Sequence, residues 1–245
     1  LAAVGCLLAV LAPRAASGEV DYDELRRAAP VERVRQTLTE FTEHGSRVAG
    51  YPGAEAAARY VQKAFRDIGL DDITVHEYDI SIPVEREPGS LELRTSGGIM
   101  PIHGLWPNLV KTSKLPEGGQ EMRLIDGRDG GYGALDGKDV EGAAVLLDYN
   151  TGDAWLNSGY LGPRAIVFIE PDSTGYLEGE RKFLTMPLDL PRFWVSRDDG
   201  QELRRLIAAE PQRGIPVHMK YTMEWERRPA WNIFGVIPGY DPVMR

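Results

Sequence analysis

The side chains able to do metal, nucleophilic or acid–base chemistry are scattered in this chain of 245 residues. Its histidines, His44, His76, His103 and His218, form no His-Glu-x-x-His run and no His-x-Asp pair, the spacings that set two metal ligands together. His44 sits at the end of a helical stretch, where a cationic ring complements the helix dipole. Asp172-Ser173-Thr174-Gly175 has the residue types of an aspartic-protease turn, with one residue too many and no second copy, so it reads as a loop. Gly131-Tyr132-Gly133 lacks the third glycine of a dinucleotide fingerprint and precedes strand-like sequence, so no helix N-terminus is expected to hold a phosphate there. Asp148-Tyr149-Asn150-Thr151-Gly152-Asp153 alternates oxygen side chains as calcium loops do, without the obligatory glycine and the closing Glu. No Gly-x-Ser-x-Gly elbow occurs, and the lone cysteine, Cys6, lies in an apolar run. From the residues alone, no catalytic residue and no metal ligand is assigned, and the substrate-binding residues are unknown.

Composition narrows the class. Apolar residues make up 42% and charged residues 27%, as in globular domains. The net charge of −9 argues against nucleic acid, whose phosphates want a basic face. One cysteine excludes a disulfide framework and a multi-cysteine zinc site.

The elements that would position any site follow from periodicity. Residues 1–12 are an unbroken apolar run, followed by small residues at Ala15 and Ser17, which suits a secretory signal over residues 1–18 that is cut short at its start. The expected location is therefore secreted or periplasmic, with no integral membrane span. From Tyr22 to Gly45 the pattern is helical, with Val31, Val34, Leu38 and Phe41 on one stripe. A second helix is expected from Ala54 to Ile68, closed by Gly69. Residues 73–84 read as a strand with a change of face near Glu77, and Glu85-Arg86-Glu87-Pro88-Gly89 reads as a turn beside a domain boundary. Short strands fill residues 90–221, clearest at Met122–Ile125, Ala143–Asp148 and Ala165–Ile169. One helix, Asp198–Ala209, starts on a Ser196/Asp199 capping box. Residues 232–237 read as a buried strand entering a Pro-Gly turn, so the chain looks like the front portion of something larger.

Two separated segments carry a family resemblance. Gly45-Ser46-Arg47-Val48-Ala49-Gly50-Tyr51-Pro52-Gly53, with Tyr60, Val61, Phe65, Gly69 and Leu70 after it, resembles the opening of the M28 zinc aminopeptidases. Trp231-Asn232-Ile233-Phe234-Gly235-Val236-Ile237-Pro238-Gly239, continuing to Asp241 and Pro242, is similar to the strand and turn before that family's first zinc ligand. Between them, residues 136–148, 164–170 and 190–203 resemble a protease-associated (PA) domain.

The resemblance implies an α/β fold, an incomplete zinc-exopeptidase domain interrupted by a β-rich PA domain. Residues 19–89 would be the first part of the peptidase domain, 90–222 the insert and 223–245 the start of the remainder. It implies hydrolysis of peptide bonds in peptide or protein substrates, by aminopeptidase or carboxypeptidase action, with two zinc ions in the complete protein. The family's ligands and general base follow the segment ending at Pro242, so none is carried over to a residue here and this chain alone is expected to be inactive. The alternative is a non-catalytic receptor of transferrin-receptor-like architecture that binds through its PA domain, with Trp106, Trp155 and Trp194 as candidate contact residues.

Overall fold

The computed structural model describes residues 21–70, 72–106, 111–183 and 189–237. The proposed signal and the Pro-Gly turn from Pro238 onward lie outside them. The chain divides into two compact units, residues 1–76 with 231–245, and residues 77–230.

The first unit holds α1 (Tyr22–Ala28), α2 (Val31–Glu43) and α3 (Pro52–Asp67). The helix expected over Tyr22–Gly45 is two helices. Pro30 disfavours helical backbone at the residue before it and becomes the extended N-cap of α2, where its carbonyl accepts from the Arg33 and Val34 N–H groups. Of the apolar stripe on α2, Phe41 packs edge-on against Tyr60 of α3, with ring centroids 5.4 Å apart, whereas Val31 is 72% exposed and Val34 and Leu38 are more than half exposed. Gly53 allows the loop before α3 to close, since a Cβ there would strike the carbonyl oxygens of His44 and Ser46. At the other end Gly69 has φ +78°, and the Leu70 and Gly69 N–H groups return to the Phe65 and Arg66 carbonyls, a Schellman closure.

The second unit is a closed seven-stranded sheet. Its strands are β1 (Thr74–Leu93), β2 (Ile99–Gly104), β3 (Gln120–Arg128), β4 (Ala144–Asp148), β5 (Ala165–Ile169), β6 (Arg192–Val195) and β7 (Ile215–Phe234), in the order β1-β2-β6-β5-β4-β3-β7. β3 through β6 are mutually parallel, and β1–β2, β2–β6 and β3–β7 are antiparallel. Between the parallel strands lie α4 (Tyr132–Leu135), α5 (Trp155–Gly159) and α6 (Tyr176–Lys182), and α7 (Arg197–Ile207) precedes β7.

Residues 85–89, expected as a turn, lie inside β1. Gly89 pairs with Ile102, and a Cβ on it would meet the Tyr221 ring and the Ile102 carbonyl, so the glycine marks a close approach within a strand. Residues 232–234 do continue β7, but Asn232, Phe234, Val236 and Ile237 are exposed, not buried. Gly131-Tyr132-Gly133 opens the one-turn helix α4 where a strand was expected.

Successive residues of the central strands are buried on opposite faces. Leu124, Leu146, Val167 and Phe193 join one core with Leu203 and Ile207 of α7, while Val145, Leu147, Ile166 and Phe168 join another with Leu135 of α4 and Trp155 of α5. Parallel strands covered on both sides read as continuous apolar runs, which is why β4 and β5 are plain in the sequence. α7 begins as its capping residues require: the Asp199 N–H donates to Ser196 Oγ at 3.2 Å, and that hydroxyl donates to Asp199 Oδ2 at 2.7 Å. Ser196→Ala is expected to cost about 1 kcal/mol. Urea unfolding should show it as a lower midpoint at unchanged slope, and an unchanged midpoint would mean the cap contributes nothing.

Candidate functional site

Two loops singled out separately by their residue types meet at the carboxyl ends of β4 and β5. The Asn150 Nδ2 group donates to the Ser173 carbonyl at 2.8 Å, and Thr174 Oγ1 donates to Asn150 Oδ1 at 2.8 Å. Together with the start of α7 they line a cleft of about 390 Å3, the kind of place where parallel sheets bind ligands. Arg197 stands on one wall, its Nη2 donating to the Pro171 carbonyl at 2.8 Å and its guanidinium paired with Asp172. Asp148 on another wall accepts from Arg204 Nη1 at 2.8 Å, and Arg204 Nε reaches Asp126 at 3.2 Å. Arg204 is largely buried, and its pKa is raised because these two carboxylates outweigh the desolvation that opposes its charge.

A latch beneath this cleft holds the 149–153 loop against α6. Lys182 is 0% exposed, and its ammonium donates to the Gly152 carbonyl at 3.0 Å, to Thr151 Oγ1 at 3.3 Å and to Glu178 Oε2 at 3.2 Å. It also lies over the rings of Tyr149 and Phe168, at 5.4 and 5.6 Å. The Gly152 N–H donates to Glu178 Oε2 at 3.0 Å. Burial lowers the Lys182 pKa against the opposing pull of Glu178. Burial alone would raise Glu178, but the Gly152 N–H and the Lys182 ammonium hold it below the ordinary carboxylate value. Burial also lowers Arg192, in β6, to about 10.

Sequence reasoning missed Lys182, Glu178 and Arg204. The only available signal was the four-residue spacing of Glu178 and Lys182 on one helix face, and nothing local separates buried Lys182 from its neighbour Arg181, which is about half exposed.

The histidines stay apart. His44 caps α2 with Nε2 3.8 Å from Glu40, and His76 lies in β1. His103 stacks on Trp194 with centroids 4.4 Å apart, and His218 bonds the Gly118 carbonyl at 3.0 Å. Among the described residues no group of three or more His, Cys, Asp or Glu side chains could hold a metal ion, so the residues described here do not fit a zinc centre. Of the tryptophans considered as a contact patch, Trp155 is 0% exposed within the second core and Trp194 is half-buried, while Trp106 lies nearer the surface. No helix among the described residues is long and apolar enough to cross a membrane. The cleft thus offers groups that recognise polar or charged partners, and no histidine base among its lining residues.

No protein-family model matches this sequence, and no curated protein matches it. Solved structures do resemble it. BSAP, a zinc aminopeptidase from Bacillus subtilis, superposes with a TM-score of 0.59 at 16% identity, over 86% of this chain and 48% of that one. An aminopeptidase from Aneurinibacillus sp. strain AM-1 gives 0.51 at 16%, over 88% and 50%. A peptidase M28 precursor from Shewanella amazonensis SB2B gives 0.52 at 12%, over 80% and 48%. The likeness is one of fold, a mixed α/β architecture, and this chain spans about half the length of each of those structures.

Proposed function

We propose that this chain is the N-terminal part of an exported, zinc-dependent exopeptidase of the M28 type that hydrolyses peptide bonds. The inserted PA domain takes in the compact unit of residues 77–230, wider at both ends than the 90–222 expected from the sequence, and the flanking residues 19–76 and 231–245 belong to the peptidase domain. The observation that carries the reading is the fold likeness to peptidases over 80–88% of this chain but only about half of theirs.

In the resembled family the zinc ligands and the general base follow a segment like Trp231–Pro242, and the reading therefore assigns the two zinc ions and the base to sequence after that segment. In the complete enzyme zinc would activate the attacking water and polarise the carbonyl. This chain's share is to supply scaffold and recognition surface, with the loop at residues 148–153 tied to α6 through Lys182 and to the 170–175 loop through Asn150.

The test compares two proteins, residues 1–245 alone and the product of the reading frame continued past Arg245. The longer protein is expected to release N-terminal residues from aminoacyl p-nitroanilides, to lose that activity to a chelator and to regain it with Zn2+. The shorter one is expected to stay inactive with zinc added. Zinc-dependent activity in the shorter protein would place the ligands here and overturn the reading. Absence of activity in the longer one would remove the peptidase assignment.

A further inference from the structure

We propose that the groove between residues 111–116 and β7 is a binding site for an extended acidic peptide, one whose carboxylates alternate with apolar side chains. The groove encloses about 510 Å3 and lies within the 77–230 unit. Its apolar wall is built from Leu115, Pro116, Leu190 and Pro191, with Trp225 of β7 at its side. Three of its four charged lining residues, Lys111, Lys114 and Arg192, are cationic, and only Asp189 is acidic. In a chain with net charge −9 this is a local reversal of sign.

The two lysines are held by exposed partners. Lys111 Nζ is 2.7 Å from Asp189 Oδ2, and Lys114 Nζ is 3.3 Å from Glu224 Oε1. All four of these side chains are at least 45% exposed. Exposed pairs of this kind contribute little, so a ligand carboxylate can take the place of Asp189 or Glu224 at small cost.

Arg192 is different. It is 2% exposed, with its guanidinium on the Lys182 carbonyl and 5.7 Å from the Trp155 ring, and no carboxylate pairs with it among the described residues. Its guanidinium is turned inward, so Arg192 serves the groove through its backbone, and the cations a ligand can reach are Lys111 and Lys114.

The groove is also preorganised. Ser113 Oγ donates to the Arg192 carbonyl at 2.9 Å and accepts from the Arg192 N–H at 3.2 Å, and the Leu115 N–H donates to the Tyr221 carbonyl at 3.1 Å. A ligand therefore meets a strip of chain that is already ordered. The apolar wall favours a peptide over a free inorganic anion. This site stands whether or not the peptidase reading does.

The experiment measures fluorescence anisotropy with the full chain and a short fluorescein-labelled peptide of alternating Leu and Glu, with Gln and Lys versions as controls. The Glu peptide is expected to bind about tenfold tighter than the Gln peptide, the Lys peptide to bind more weakly still, and added salt to weaken the Glu peptide alone. Lys111→Ala combined with Lys114→Ala should reduce its affinity about tenfold. Asp189→Asn should increase it, a gain that misfolding cannot imitate. Equal binding of Glu and Gln peptides, no binding, or a double variant that binds as the parent would each overturn the proposal. Full displacement of the peptide by inorganic phosphate at equal concentration would reduce the groove to a small-anion site and overturn it as well.

Discussion

Replacing Glu178 by Gln is expected to remove about 3 kcal/mol of stability, because it takes away the one carboxylate hydrogen-bonded to the buried Lys182 ammonium and leaves only the more distant pull of Asp153. Lys182 is fully enclosed, and its remaining partners would be the Gly152 carbonyl, the Thr151 hydroxyl and the faces of Tyr149 and Phe168. These satisfy hydrogen bonds but carry no negative charge. Thermal unfolding followed by circular dichroism should show a fall of roughly 10 °C. Lys182→Met makes the opposite case, since it removes the charge and keeps the volume, and exchange of a buried ion pair for apolar packing is often neutral. It should cost clearly less than Glu178→Gln.

Acidification adds a second signature. The folded state holds Glu178 below its ordinary value of 4.5, so its contribution is complete above that pH and is lost as the pH falls through the lower folded value. The parent should lose stability in that acid window, and Glu178→Gln should lose less. Identical melting of the parent and Glu178→Gln, or a larger loss from Lys182→Met, would show that the latch does not work through charge.

How far the sequence carries depends on whether a feature is local. β4, β5 and α7 follow from apolar runs and a capping pair within a few residues of one another, and α3 ends at Gly69 as a left-handed glycine demands. Closure of the sheet is not local. It lays the Tyr221 ring over Gly89, more than a hundred residues away in sequence, so a close-approach glycine beside Pro88 looks like a turn when read alone. The candidate cleft has the same property. Asn150 and Ser173 each sit in a recognisable loop, but only the side-by-side parallel pairing of β4 and β5 brings those loops to one edge. The apolar stripe of α2 was legible as a stripe, yet periodicity cannot say whether anything covers it, and Val31 and Leu38 are exposed.

That uncovered stripe leads to the other large expected effect. Limited trypsin digestion of the whole chain should cut first within residues 21–70 and leave a resistant core close to residues 77–230. In α2 no residue is buried, and in α3 only Gly53 is. A helix of 13 residues held by so little packing opens readily, because isolated helices of this length are marginal. The 77–230 unit keeps two cores of residues at or near zero exposure, and its central strands should open only in global unfolding. A gap of several kcal/mol between local and global opening makes the cleavage rates differ on the order of a thousandfold. Mass spectrometry of the surviving fragment reads the boundary: trypsin has no site between Arg66 and Arg86, so a core that begins after Arg66 and keeps the Arg86 bond intact is expected of a unit starting near Glu77, whereas cleavage after Arg86 would put the boundary at residues 85–89. Uniform resistance along the chain would mean that the stripe is covered in solution, and loss of that resistance on dilution would identify a second copy as the cover. With the reading frame continued past Arg245, residues 21–70 should become resistant as well, because the proposed remainder of the peptidase domain would then bury Val31, Val34 and Leu38. Protection gained in that longer protein would support the front-half assignment even before any substrate is added, since it reports packing and not turnover.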